Sequence, residues 1–350
     1  MRKKRIIVYR LLLAVFSVVC VLLVLEVFMR VLPPAPAPDP MGDRSRFFYL
    51  IDDECRHPWS RGATNVIRIA VVGDSFSAGV GVQEDDRYAE RLERQFNGRR
   101  GLPPVEVRIW AECGTSTYQQ IGLVDKALKW RPQIVVLGIC LNDTEDKTKP
   151  IELHRWRQRL MPQIPVDKLR YSRALGWIYT KLKWWECHKM ERRYYRRLYN
   201  PSYSGFMRFC EAVAIMNDKC AEANAKFVPM IFPLMSDTDS FRKGDYVFEY
   251  AHEAIHRRFE ELHIPYLDLL EAFREAAPDR LVTLPKYDPH PNEIAHRMAA
   301  DALMQFLTDG GYIAPEYMPP QHGSAMLERQ RWRQAIQADE SLVHGSKRTP

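Results

Sequence analysis

The sequence has 350 residues, of which 46% are hydrophobic and 27% charged, an ordinary globular composition that excludes an extended disordered chain. Its net charge of +7 is local, because residues 1–30 carry +5 and residues 155–197 carry +10, which leaves the remainder at −8. Two basic stretches do not make a chain-wide nucleic-acid footprint, so we expect no nucleic acid partner.

The N-terminus combines a basic cluster with a long apolar run. Arg2–Arg5 precede Ile6–Leu32, which reaches the roughly 20 residues that a bilayer requires. Residues 1–32 are therefore predicted to form a cytoplasmic basic end and one transmembrane signal anchor, with everything after residue 33 on the extracytoplasmic side. A cleaved signal peptide is the alternative, although the Pro-rich segment that follows fits a cleavage site poorly.

The domain organisation follows from composition. Residues 33–64 begin with alternating prolines and are predicted to form a stiff linker and a segment that wraps around the following domain. Residues 65–310 carry the main domain, interrupted by a basic and aromatic insert at about 150–205, and residues 311–350 form a C-terminal tail. For the insert we consider three interpretations: a solvated helical lid, a surface for anionic lipid headgroups, or a groove for an anionic or sugar substrate.

Short apolar runs alternate with amphipathic stretches along the main domain. This alternation predicts an α/β fold with a doubly wound, mostly parallel five-stranded sheet. The predicted strands are 67–72, 105–109, 134–139, 227–232 and 265–268, and the predicted helices are 86–97, 118–130, 206–224, 246–262 and 292–307.

The seven cysteines are scattered and include no Cys-x-x-Cys pair. Their spacing indicates neither a disulfide framework nor a zinc site. The sequence does not exclude one disulfide, between Cys210 and Cys220. His252 and His256 lie four residues apart on a predicted helix, but with no third ligand near them in the sequence we expect solvated helix positions and no metal.

The first predicted strand ends in Gly73-Asp74-Ser75. A serine at the carboxyl end of a buried strand lies where open α/β sheets bind their ligands, and helix N–H groups nearby favour negative charge. Ser75 is therefore a candidate acyl-transfer nucleophile. The alternative is a helix cap, since Asp and Ser both cap well.

Two further strands end in residues that suit an oxyanion hole. Gly114 follows the second strand, where a glycine lets a backbone N–H approach a ligand closely. Asn142 and Asp143 follow the third strand, and the Asn142 amide offers a donor. Taken alone, each is as well explained by an ordinary turn.

The last stretch is Asp288-Pro-His290-Pro-Asn292, at the entry to the final predicted helix. The two prolines fix the position of His290, and Asp288 is near enough in sequence to orient its imidazole. His296, one turn into the helix, is expected to pack or cap.

With these four blocks in order, residues 66–307 resemble the SGNH hydrolase superfamily, the GDSL esterases. The resemblance implies a flavodoxin-like, three-layer α/β/α fold with Ser75 as nucleophile, His290 as base and Asp288 as orienter. It also implies an oxyanion hole from the Ser75 and Gly114 N–H groups and the Asn142 side chain, and no metal or cofactor.

The sequence departs from the family pattern at two positions. The residue three before His290, where many relatives place the acid, is Tyr287. The end of the second strand, Ile109-Trp-Ala, lacks the asparagine that usually stands there.

The resulting hypothesis is a membrane-anchored extracytoplasmic serine esterase acting on an acylated small molecule, glycan or lipid, with a short acyl group such as acetyl. Two alternatives are an O-acyltransferase that passes the acyl group to an envelope glycan, and a non-catalytic envelope binding protein. Protein partners are not indicated.

Overall fold

The computed structural model describes residues 2–31, 65–98, 101–145, 172–235, 241–274, 276, 280–284 and 288–318. The predicted linker 33–64, the first part of the predicted insert, Tyr287 and most of the predicted tail lie outside these residues.

A five-stranded, fully parallel sheet forms the centre of the domain, in the order β2-β1-β3-β4-β5. All five predicted strands are confirmed, although the fifth is only two residues long. The strands are β1 (Ile67–Gly73), β2 (Val105–Ala111), β3 (Ile134–Cys140), β4 (Lys226–Phe232) and β5 (Leu267–Asp268).

The central strands owe their positions to continuous apolar runs. Every residue of β3 is buried, and Ile69–Val72 of β1 have no exposed surface. Strands of this kind are stable only where helices cover both faces of the sheet. This is the flavodoxin-like α/β/α arrangement that the resemblance implies.

The five predicted helices are confirmed within three residues at either end, as α3 (Tyr88–Asn97), α4 (Thr117–Leu128), α6 (Ser204–Glu222), α7 (Glu249–Glu261) and α9 (Glu293–Asp309). Two pairs of these helices pack together around the sheet: α3 packs against α9, and α4 packs against α6.

Several small elements were not predicted. Among them are the one-turn helix α2 (Ser75–Ala78), the short helix α8 (Leu269–Phe273), and a hairpin of β6 (Val282–Leu284) with β7 (Asp288–Pro291). The hairpin carries the last of the four blocks.

Two long helices lie outside the sheet layers. α1 (Arg2–Val31) contains a stretch, Ile6–Val31, that is long and apolar enough to cross a membrane, and most of its large apolar side chains are exposed. α5 (Arg173–Leu198) is the described part of the predicted insert, and it packs against α1.

Cys210 and Cys220 are both free thiols, so the disulfide considered between them is absent. Ile313 and Tyr317, assigned to the C-terminal tail by sequence, are buried. The Tyr317 ring packs edge-on against Phe96, and its hydroxyl donates to the Pro103 carbonyl at 2.5 Å. The packed domain therefore extends to residue 318.

Candidate active site

Three of the four blocks leave the sheet at the same edge. β1 lies between β2 and β3, and Gly73 at its end is in register with Ala111 on one side and Gly138 on the other. The residues that follow these strands therefore emerge side by side. Ser75 follows β1, Gly114 follows β2, and Asn142 lies in the 3-10 turn Leu141–Thr144 after β3.

The turn Gly73-Asp74-Ser75 is built by local hydrogen bonding and close packing. The Asp74 carboxylate accepts from the Phe76 N–H at 2.9 Å and caps α2, which Ser75 begins. A Cβ at Gly73 would lie 2.2 Å from the Ser77 Oγ, so no larger residue fits there without displacing that side chain. The Asp74 side chain therefore caps α2, and the Ser75 hydroxyl does not take part in this capping hydrogen bond.

Ser77, two residues after Ser75, has a different environment. Its side chain is fully buried, and its hydroxyl shares a 2.9 Å hydrogen bond with the Tyr88 hydroxyl. Ser75 is only half-buried. Of these two serines, only Ser75 is placed to meet a substrate.

His290 is held by the β6–β7 hairpin. The Thr283 hydroxyl donates to the His290 carbonyl at 3.0 Å, and the imidazole lies 5.4 Å from the Phe76 ring, centroid to centroid. Sequence analysis did not identify Thr283 because the hairpin strands are too short to show an alternating pattern.

One hydrogen-bonded chain joins Ser75, His290 and Asp288. The His290 Nδ1 lies 2.5 Å from the Asp288 Oδ1, and its Nε2 lies 2.9 Å from the Ser75 Oγ. Because an ionised carboxylate can only accept, Nδ1 carries the proton and Nε2 is left to accept from the serine hydroxyl. The Asp288 Oδ1 also accepts from the His290 backbone N–H at 3.0 Å, which fixes the loop as well as the ring.

Gly114 and Asn142 have features that suit a binding role. Gly114 adopts φ +77°, a left-handed conformation that favours glycine, in the exposed turn after β2. The Asn142 side-chain oxygen is buried without a hydrogen-bond partner among the described residues. This oxygen is an acceptor and not the amide donor that an oxyanion hole uses, so the candidate role of Asn142 rests on its position directly after β3.

Asn292 and His296, which follow His290 in the sequence, have structural roles. The Asn292 side chain accepts from the Ile294 and Ala295 N–H groups, which caps α9, and donates to the carbonyls of Arg280 and Val282. His296 is fully buried, and its Nδ1 accepts from the Tyr88 N–H at 3.3 Å. The expectation that His296 packs is confirmed.

The expectation of solvated positions for His252 and His256 is wrong. His252 is buried, and its Nδ1 lies 2.8 Å from the Asp268 Oδ2, while the His256 Nε2 lies 2.6 Å from the same oxygen. Asp268 is at the end of β5, so its contact with the two histidines depends on how α7 packs. The local sequence does not predict such a contact.

These three side chains also bring their ligand atoms within 4.8 Å of one another, a spacing compatible with a metal site. Ligands on one tetrahedral zinc would stand about 3.3 Å apart, given bonds of about 2.0 Å. The observed separations of 2.8 and 2.6 Å are shorter and match hydrogen bonds. Two imidazoles sharing one carboxylate account for this arrangement.

Comparison with protein families agrees with the geometry. The sequence model of the family described as GDSL-like lipase/acylhydrolase matches residues 71–298, which include Ser75, Gly114, Asn142, Asp288 and His290. Because the match covers more than half of the chain, the protein belongs to this family of ester-hydrolysing enzymes.

The solved structures to which this chain is similar are distant in sequence. A psychrotrophic esterase from Pseudoalteromonas sp. is 14% identical, with 70% of this chain and 99% of that chain covered and a TM-score of 0.41. A catalytic mutant of an acetylxylan esterase from Geobacillus stearothermophilus is 12% identical, with 69% and 94% covered and a TM-score of 0.44. A lipase/acylhydrolase from Enterococcus faecalis is 13% identical, with 70% and 96% covered and a TM-score of 0.43. Comparison with curated proteins found no match.

Proposed function

We propose that this protein is a membrane-anchored, extracytoplasmic serine esterase in which Ser75 is the nucleophile, His290 the general base and Asp288 the residue that orients it. The observation that carries the proposal is the hydrogen-bonded chain from the Asp288 carboxylate through His290 to the Ser75 hydroxyl, at 2.5 and 2.9 Å. A nucleophile joined to a base that is itself oriented by a third group is the arrangement that acyl transfer requires.

In the first half of the reaction, the Ser75 Oγ attacks the ester carbonyl as His290 Nε2 removes the hydroxyl proton. Asp288 stabilises the imidazolium without taking its proton. The negative charge that develops on the carbonyl oxygen is stabilised by the N–H groups of Ser75 and Gly114 and the side-chain amide of Asn142. Collapse of this intermediate breaks the ester bond, and His290 returns the proton to the leaving alcohol.

In the second half, a water molecule attacks the acyl-serine ester. His290 Nε2 removes a proton from the water, and the second tetrahedral intermediate is stabilised by the same donors. Collapse releases the carboxylic acid and returns the proton to the Ser75 Oγ. This cycle requires no group beyond the residues named.

The location is inferred from α1. The basic residues Arg2–Arg5 precede the apolar stretch Ile6–Val31, most of whose large apolar side chains are exposed. Positive charge beside an apolar span favours retention of that end in the cytoplasm. The domain that begins at residue 65 would then lie on the opposite side of the membrane, attached through α1.

The site favours a short acyl group. The His290 and Asp288 side chains keep 25% and 28% of their surface exposed, so the base is accessible from the surface. A shallow site contacts little of a long acyl chain and has correspondingly little apolar surface with which to bind one. An acetyl ester on an envelope glycan is the substrate class that we favour.

Hydrolysis by the full-length protein in detergent tests this proposal. p-Nitrophenyl acetate, butyrate and palmitate serve as substrates, with Ser75→Ala and the buried, hydrogen-bonded Ser77→Ala as a matched pair. We expect acetate to be the best substrate, and Ser75→Ala to lower kcat by about 10⁴-fold or more. Ser77→Ala is expected to affect stability more than kcat.

An inert but folded wild-type protein would contradict esterase activity, and transfer to an added glycan acceptor would then be measured. Preference for palmitate would overturn the short-chain assignment alone. For the location, intact cells that express the full chain are given a membrane-impermeant ester substrate. Hydrolysis only after lysis would contradict an extracytoplasmic domain.

A further inference from the structure

The first half of α5 exposes an apolar face. Leu175, Leu182 and Trp185 are 48%, 59% and 63% exposed, and at 100° per residue they fall within about 80° of one another around the helix. Trp177, which lies about 80° from Trp185 around the helix and outside this face, is 47% exposed. Contiguous large apolar side chains on a surface indicate a site of interaction.

The same helix is strongly basic. Its sequence contains eight Lys or Arg residues and two Glu. Lys181 lies over the Trp177 ring at 5.8 Å and Lys189 over the Trp185 ring at 4.9 Å, so cationic groups border the apolar face. Aromatic residues mixed with lysine and arginine are typical of segments that lie at an anionic membrane surface.

The start of α5 is attached to the end of α1. The Glu26 carboxylate accepts from the Ser172 hydroxyl at 2.8 Å and from the Ala174 N–H at 2.9 Å, which places it at the N-terminus of α5. The Arg173 guanidinium donates to the Met29 carbonyl at 3.1 Å. Glu26 and Met29 lie in the last turns of the apolar stretch, where α1 would leave the bilayer. The exposed face of α5 therefore starts at the membrane surface.

The far end of α5 is buried in the hydrolase domain. Tyr195 and Leu198 belong to the hydrophobic core. Tyr199, directly after the helix, donates from its hydroxyl to the Leu141 carbonyl at 2.8 Å, one residue before Asn142. α5 thus connects the membrane end of α1 to the loop that carries a proposed oxyanion donor, over 26 residues or about 39 Å.

We propose that the face of α5 formed by Leu175, Leu182 and Trp185 binds the surface of the membrane that α1 spans, through anionic lipid headgroups. This inference rests on the membrane-anchor part of the proposed function. The occupant is lipid because the face starts where the apolar helix ends, and because the lysines that border it complement anionic phosphates. Bound in this way, α5 would fix the height and orientation of the active site above the membrane.

Photo-cross-linking in vesicles tests this proposal. The full chain is reconstituted in phosphatidylcholine with or without phosphatidylglycerol, with p-benzoylphenylalanine in place of Leu182. Phe16 in α1 and Met207 in α6 serve as positive and negative controls, and Met207 is 59% exposed, as is Leu182. We expect lipid adducts at positions 16 and 182 and none at 207. Phosphatidylglycerol should raise the yield at 182 several-fold, and Lys181→Gln with Lys189→Gln should remove that gain.

Adducts at position 16 with none at 182 would overturn the proposal while leaving the anchor intact. Absence of adducts at position 16 would contradict the anchor itself, and with it the proposal. A cross-link from position 182 to a second copy of the chain would identify a protein occupant and also overturn the lipid assignment. Ester hydrolysis measured on the same vesicles reports separately on the catalytic part of the proposed function.

Discussion

The protein contains two clusters of carboxylate and imidazole that are nearly identical in distance and different in setting. In the triad cluster (Ser75, Asp288, His290) the carboxylate–imidazole separation is 2.5 Å, and in the helix cluster (His252, His256, Asp268) the separations are 2.8 and 2.6 Å. The His290 side chain in the triad cluster is 25% exposed, whereas the His252 side chain in the helix cluster is 1% exposed.

The two clusters differ in what surrounds the imidazole nitrogen that does not contact the carboxylate. In the triad cluster, the His290 Nε2 faces the Ser75 hydroxyl at 2.9 Å. In the helix cluster, the His252 Nε2 is buried without a hydrogen-bond partner among the described residues. An oriented imidazole is thus suited to catalysis only where its second nitrogen reaches a nucleophile at an accessible surface; elsewhere the same pair holds elements together.

Replacing one histidine in each cluster should give the largest contrast. His290→Ala is expected to lower kcat by about 10⁴-fold or more with little change in stability, because its side chain is partly exposed. His252→Ala is expected to cost about 2 kcal/mol of unfolding free energy, because it removes one hydrogen bond to the Asp268 carboxylate, which keeps its bonds to His256 and the Leu270 N–H. Its kcat, corrected for folded protein, should stay near wild type. Ester hydrolysis and denaturant unfolding measure the two effects; loss of kcat by folded His252→Ala would show that the helix cluster supports catalysis.

Two asparagines allow a similar contrast at smaller magnitude. Asn142→Ala should lower kcat by about 10²-fold or more with a smaller change in KM, because an oxyanion donor acts mainly in the transition state. Asn292→Ala should leave kcat near wild type and cost about 1 kcal/mol of stability through loss of the α9 cap. Steady-state kinetics with p-nitrophenyl acetate distinguish them. Equal kinetic losses in both variants would remove Asn142 from the proposed oxyanion hole.

His296 extends the comparison to a buried histidine without a carboxylate partner. Burial, followed by the charges of Arg91 and Arg87, lowers the pKa of His296 to about 3. Because this pKa lies below the unfolded value of about 6.5, the neutral ring stabilises the fold above pH 6.5, and that stability is lost as pH falls toward 3. The slope contributed is at most about 1.4 kcal/mol per pH unit.

We expect His296→Gln, which keeps an acceptor for the Tyr88 N–H, to flatten the dependence of unfolding free energy on pH between 6 and 4. The exposed His263→Asn serves as the control and should leave the slope unchanged. An equal slope in His296→Gln and wild type would show that other groups set the acid sensitivity of the fold.

The sequence was sufficient where structure depends on local pattern. The apolar runs of β1 and β3 predicted buried strands because few other structures bury so many β-branched residues in succession. Ser75, Gly114 and Asn142 were identified as candidates because each follows such a strand, and parallel strands end at a common edge.

Contacts between distant elements could not be predicted in this way. Asp268 reaches His252 and His256 only because β5 lies beside α7. In the sequence, Glu26 is a charge that flanks an apolar helix, and its contact with the start of α5 depends on how the two helices pack. The β6–β7 hairpin, with strands of three and four residues, is too short to show a period.

Covalent labelling of the full-length protein with a fluorophosphonate tests the catalytic assignment most directly. The Ser75 Oγ would displace fluoride from phosphorus, and peptide mass spectrometry distinguishes Ser75 from Ser77. We predict one adduct, at Ser75, that is absent from His290→Ala and retained in His252→Ala. An adduct at another residue of the hydrolytically active protein, or labelling of Ser75 that persists without His290, would contradict the account.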